Sequence, residues 1–156
     1  MRLLFALLFG TTLLLAAPIP KEKPKVKDEE AILGKWEYDK FDAGGGTVPP
    51  EDNLKGMVFE FKKDGKLTMS PAVKQKQPAE DAKYKLDESL KVKQIDIINP
   101  MPRGTIKAVY ELDGDILKLC TPDVSTKDRP MEVKADKDIN VVVVTFKRVV
   151  EEKKDK

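Results

Sequence analysis

Asp113 and Asp115 flank Gly114 and bring two carboxylates close enough to share one cation. A calcium loop needs further oxygen ligands at set positions. The surrounding residues do not supply them, so the pair reads as part of a tight turn. Asp96, between Ile95 and Ile97, would need a second carboxylate across a cleft to hydrolyse a glycosidic bond. No partner can be named, and an outward salt bridge is the plainer expectation. Cys120 is the single cysteine. A lysine beside it would favour the reactive thiolate, and the strand register derived below puts Lys107 there, but a passive thiol is expected. Ser70 and Lys74 are one residue too far apart for a Ser-x-x-Lys nucleophile. Gly44-Gly45-Gly46-Thr47 has neither the spacing nor the lysine of a phosphate loop; it reads as a flexible loop at the mouth of the fold. The chain has no histidine, which removes Ser-His and Cys-His pairs, histidine zinc sites and the usual neutral-pH general base. The sequence therefore supports no enzyme, metal site or cofactor.

The elements that would carry these residues begin after an apolar leader. Met1-Arg2, the run Leu3 to Ala17 and then Pro18 and Pro20 have the layout of a secretory signal peptide, expected over residues 1–17. The run is shorter than the ~20 residues of a spanning helix, so a permanent membrane anchor is the second reading, and no stable membrane span is expected once the signal is removed. The chain is expected to be exported, to the periplasm or the extracellular space. Removing it takes away Arg2 alone among charged residues and leaves 28 basic against 27 acidic side chains. An even balance with interspersed signs argues against a nucleic-acid binder, which needs a clustered positive face. With one cysteine there is no internal disulfide, and stability must come from a core.

Residues 18–30 are rich in Pro, Lys and Glu and read as a flexible charged tether; 150–156 read as a charged tail. Between them, over 31–149, short alternating runs are broken by turn signals about every ten residues, the pattern of an all-β sandwich or barrel. Strands are predicted at Ile32 to Phe41, Met57 to Phe61, Lys66 to Met69, Lys83 to Leu86, Lys93 to Ile97, Thr105 to Leu112, Asp115 to Thr121 and Asn140 to Val149. Met131 to Val133 is a further candidate, and residues 50–55 offer at most one helical turn.

Two hairpins carry their own register. A two-residue Asp113-Gly114 loop would pair Tyr110 with Leu117 and Ala108 with Leu119 on an apolar face, and Val109 with Lys118 and Lys107 with Cys120 on the other. At Lys63-Asp64-Gly65 a two-residue loop would mix core and solvent residues. A three-residue loop instead pairs Phe61 with Leu67 and Phe59 with Met69, with Gly65 in the left-handed bulge position.

Leu33-Gly34-Lys35-Trp36 resembles the Gly-x-Trp start of lipocalins, and Arg148 resembles the arginine that packs across that tryptophan. Tyr84-Lys85-Leu86-Asp87, Ile95-Asp96-Ile97, Gly104-Thr105-Ile106, Tyr110 to Asp115, Leu117 to Cys120, Arg129-Pro130 and Phe146-Lys147-Arg148 extend the resemblance from about Ile32 to Val149. Together they are similar to a family of lipocalin-like domains, without an assigned activity, best known from exported planctomycete proteins. Lys107-Ala108-Val109 departs from the glycine or isoleucine expected just before the tyrosine. The resemblance implies an antiparallel up-and-down β-barrel of eight to nine strands closed at one end by the Trp36–Arg148 pair, and no particular ligand.

A barrel of eight strands either fills with side chains or holds one small ligand. The inward set is Trp36, Tyr38, Phe59, Phe61, Met69, Tyr84, Ile106, Ala108, Tyr110, Leu117, Leu119, Val144 and Phe146. Such a lining suits a small apolar or amphipathic molecule, and the first functional expectation is a monomeric carrier. The second is an envelope or extracellular protein-interaction module with a filled barrel, whose outward Val141 and Val143 would form a docking patch if exposed. Residues 122–135 are expected to cover them.

Overall fold

The computed structural model describes residues 26–52, 54–72, 74–98, 104–122 and 128–150. The predicted signal peptide, the first part of the predicted tether and most of the predicted tail lie outside them. After a four-residue helical turn, α1 (Asp28–Ala31), come nine strands: β1 (Gly34–Asp42), β2 (Thr47–Val48), β3 (Val58–Phe61), β4 (Lys66–Ser70), β5 (Glu80–Asp87), β6 (Gln94–Ile98), β7 (Thr105–Asp113), β8 (Ile116–Pro122) and β9 (Val141–Arg148). Each strand from β3 onward pairs antiparallel with the next, and β9 pairs with β1, which closes an up-and-down barrel of eight strands. The short β2 is an addition, folded back on the end of β1 with Phe41 opposite Val48.

Period-two alternation produces this barrel. Trp36 and Tyr38 are buried while Lys35 and Glu37 between them face out; Ala82 and Tyr84 alternate with Lys83 and Lys85, and Leu117 and Leu119 with Lys118. A charged exterior over an apolar interior is the reverse of a membrane-spanning barrel. Among the described residues no helix is long and apolar enough to cross a membrane.

The β3–β4 hairpin has the predicted register, Phe59 opposite Met69 and Phe61 opposite Leu67. Gly65 takes φ +71° in the three-residue loop, and Lys62 donates its N–H to the Lys66 carbonyl at 2.9 Å. The β7–β8 hairpin differs from expectation. Its loop is Gly114-Asp115, so Leu112 faces Leu117, Tyr110 faces Leu119 and Val109 faces Cys120. Gly114 has φ +55° while Asp115 is not left-handed, the arrangement of a turn with glycine at its first central position. The slip is two residues, so every side chain keeps its predicted face, but Cys120 lies beside Val109 rather than Lys107.

Two other expectations are corrected. Residues 28–30 are not tether: Asp28 is 4% exposed and starts α1. Met131–Val133 forms no strand; the segment lies over the outside of the barrel, where Val133 packs with Val92, Val109, Cys120, Val141 and Val143. Gly44-Gly45-Gly46 is a loop, as expected, and forms the bend of the β1–β2 hairpin at the far end of β1, with the Gly44 and Gly46 amides donating to Asp42 Oδ1. A Cβ on Gly44 would come within 2.6 Å of the Lys137 backbone nitrogen.

The end of the barrel where β1 begins and β9 ends is closed by packing. The Arg148 guanidinium lies 4.2 Å from the centroid of the fully buried Trp36 ring. It donates to the carbonyls of Leu33 (2.8 Å) and Ala31 (2.6 Å) and to Asp115 Oδ1 (2.9 Å). Trp36 Nε1 donates to the Ile32 carbonyl at 2.7 Å. Asp28 completes the seal: its Oδ2 accepts from Tyr110 Oη at 2.9 Å and from Lys93 Nζ at 2.5 Å, and its amide donates to Glu88. These bonds satisfy carbonyls that a short helical turn leaves without partners.

Replacing Arg148 with Met is therefore expected to cost about 3 kcal/mol, from the lost stacking and the stranded Ala31 and Leu33 carbonyls. Asp115→Asn, at an exposed position, is expected to cost under ~0.5 kcal/mol. Urea denaturation of the two variants checks both; equal costs would count against the stacked arginine as the seal.

Candidate functional site

At the opposite end the interior is hollow. A cavity of about 340 Å³ opens there, within the range of small-molecule sites. Tyr38 from β1, Phe59 from β3 and Phe146 from β9 make an aromatic wall. The Tyr38 and Phe146 rings meet edge to face at 5.9 Å, and Phe59 lies tilted on Phe146 at 4.8 Å. Ile97, Ile106 and Leu119 from β6, β7 and β8 make an aliphatic wall, with Val144 and Met69 between the two. Met57, Ser70, Pro71, Gln75, Gln77, Pro78 and Glu80 form the rim; Thr121 contributes from the end of β8.

The predicted lining therefore divides. Tyr38, Phe59, Met69, Ile106, Leu119, Val144 and Phe146 face the cavity. Trp36, Phe61, Ala108, Tyr110 and Leu117 sit in the packed half with Ile32, Leu67 and Ile95, each at most 1% exposed, and line no part of it. Tyr84 is in that half too, its ring edge-on to Phe61 at 5.0 Å and its hydroxyl donating to the Lys62 carbonyl at 3.0 Å. Both sets point inward by alternation; what separates them is height along the barrel. Ile97 and Thr121 were legible by extending the alternation of Ile95 and of Leu117 and Leu119. The Pro- and Gln-containing rim has no period and gave no such signal.

The polar groups are few and unevenly placed. Among the described residues Glu80 is the one ionisable carboxylate in the lining, and neither Lys nor Arg lines it. Burial raises the Tyr38 phenol above the ordinary tyrosine range, and the negative charge of Glu51 adds to this. Tyr84 is raised by burial and then by Asp64 and Glu29. Burial, with the hydrogen bond to Asp28, pushes Tyr110 up furthest.

The other candidate residues take structural roles. Asp96 points outward, as expected, and pairs with Arg129 Nη2 at 2.5 Å; Arg129 Nη1 donates to the Ala108 carbonyl at 2.6 Å, which ties the covering segment to β6 and β7. Asp115 serves Arg148, and Asp113 faces Ile116 in the ladder. Cys120 is fully buried in the outer cluster, its thiol 3.6 Å from the Lys134 carbonyl and pushed up by burial, which disfavours the thiolate. Among the described residues no three His, Cys, Asp or Glu are grouped to hold a metal ion. Comparison with protein-family models, with curated proteins and with solved structures finds no match to this chain.

All three tyrosines hold their protons more tightly folded than unfolded. Their raised pKa values favour the native state below the unfolded tyrosine pKa near ~10, and that advantage is lost as pH rises through the folded values. Phenolate absorbance at about pH 10.5 is thus expected to be well below that of the urea-unfolded chain, and to appear together with loss of β circular dichroism. Ordinary titration in a folded chain would contradict it.

Proposed function

We propose that this protein is an exported, lipocalin-like carrier that holds one small apolar or amphipathic molecule in the open end of its barrel. The observation that carries the reading is the division of the interior: one half packed solid around Trp36 and Tyr110, the other left as an apolar cavity open at one end. Native interiors close voids where side chains can reach, so an apolar hollow framed by two walls and a rim is a feature that binding uses. The signal-like leader and the stacking of Arg148 on Trp36 support the export and lipocalin-like parts of the reading. The interaction-module alternative draws less support, because the outward valines it needs are covered: Val141 is 5% exposed and Val143 packs against the same cluster.

Native mass spectrometry on residues 18–156, purified gently from the producing organism, is expected to show a monomer with a reproducible added mass that denaturation removes. Leu119→Trp, which fills the cavity, is expected to remove that mass and to weaken binding of a neutral apolar dye at least tenfold. Ala108→Phe acts in the packed half and is expected instead to destabilise the chain by ~1–3 kcal/mol through overpacking. Unchanged dye affinity in Leu119→Trp would place binding elsewhere.

A further inference from the structure

The three tyrosine hydroxyls differ in one respect. Those of Tyr84 and Tyr110 donate to protein acceptors, the Lys62 carbonyl and the Asp28 carboxylate. Tyr38 is 5% exposed, lines the cavity, and its hydroxyl has no hydrogen-bond partner among the described residues. No buried side-chain nitrogen or oxygen without a partner is found among those residues, so this hydroxyl is not sealed in protein; Tyr38 lines both the cavity and a cleft beside Pro49 and Pro50. A phenol in an apolar hollow gains most from an acceptor brought by a guest.

The rest of the lining restricts the guest's charge. Among the described residues the lining offers a carboxylate no Lys or Arg, and Glu80 at the rim would repel it. Losing hydration without a paired cation is costly for an ion and much less so for a carbonyl or hydroxyl. At the ~0.75 packing density of interiors, a space of this volume takes on the order of fifteen non-hydrogen atoms.

Resting on the carrier reading above, we infer that the cavity selects a neutral, medium-chain amphiphile whose oxygen accepts a hydrogen bond from the Tyr38 hydroxyl, and discriminates against the corresponding carboxylate. The phenol stays protonated throughout the neutral range, since burial and Glu51 both raise it, so the donor is present whenever the ketone, alcohol or ester arrives.

The test is competition against the neutral dye N-phenyl-1-naphthylamine on the mature chain at pH ~8, where decanoate is ionised. Decan-2-one is expected to displace the dye at a concentration at least tenfold lower than decanoate does. Tyr38→Phe is expected to weaken decan-2-one about fivefold, the loss of one neutral hydrogen bond, while its circular dichroism and urea midpoint stay close to those of the parent chain and so report an intact fold. Decanoate competing as well as the ketone, or Tyr38→Phe leaving the ketone unchanged while the dye still binds, overturns this inference and leaves the carrier reading in place. Failure of both dye and ketone to bind overturns the carrier reading, and this inference with it.

Discussion

The stacking of Arg148 on Trp36 is the contact on which the rest of the barrel depends. Closing a sheet on itself requires the first strand to find the last, and these two residues face each other across that seam. One guanidinium then ties three other parts of the chain to β9: the ring on β1, the carbonyls of Ala31 and Leu33 at the N-terminal turn, and the carboxylate of Asp115 in the β7–β8 turn. Gly34 fits the same arrangement. Its φ of +112° suits glycine, and a Cβ there would sit 3.5 Å from Arg148 Nη1. The local Gly-x-Trp spacing is thus the footprint of a contact made 112 residues later in the chain.

A firmly closed end lets the other end remain open. Trp36, Tyr110, Phe61, Phe146 and Ile32 lead the largest fully buried side chains, and all but Phe146 lie clear of the cavity. Tyr38, Ile97, Leu119 and Phe146, which do line it, are buried in the same cluster and join the two halves. Phe59, Met69, Ile106 and Val144 are only partly buried against it. Close packing and open space thus occupy different heights along the barrel axis.

Much of this was legible in the sequence, for a reason the two hairpins make plain. At β3–β4 the competing registers differ by one residue, which flips every side chain to the opposite face; Phe59 and Phe61 then exclude the wrong choice. At β7–β8 they differ by two, both keep Tyr110, Leu117 and Leu119 inside, and hydrophobic pattern is blind to the difference. Turn geometry decided there, and with it the surroundings of Cys120. Asp28 was illegible for another reason. In Lys27-Asp28-Glu29-Glu30 it looks like solvent-facing tether, and the partners that bury it, Lys93 and Tyr110, lie 65 and 82 residues away. The cavity falls between these cases: alternation identifies inward residues, but which of them meet a neighbour depends on strand stagger and loop course.

The helical turn and the end of β9 meet at Arg148, so both outer limits of the barrel lie at its sealed base. Asp28 and Val149 therefore both lie on that side, away from the cavity. A contact made at this base would leave the hollow end on the far side of the barrel, so the two ends of one small domain present separate faces.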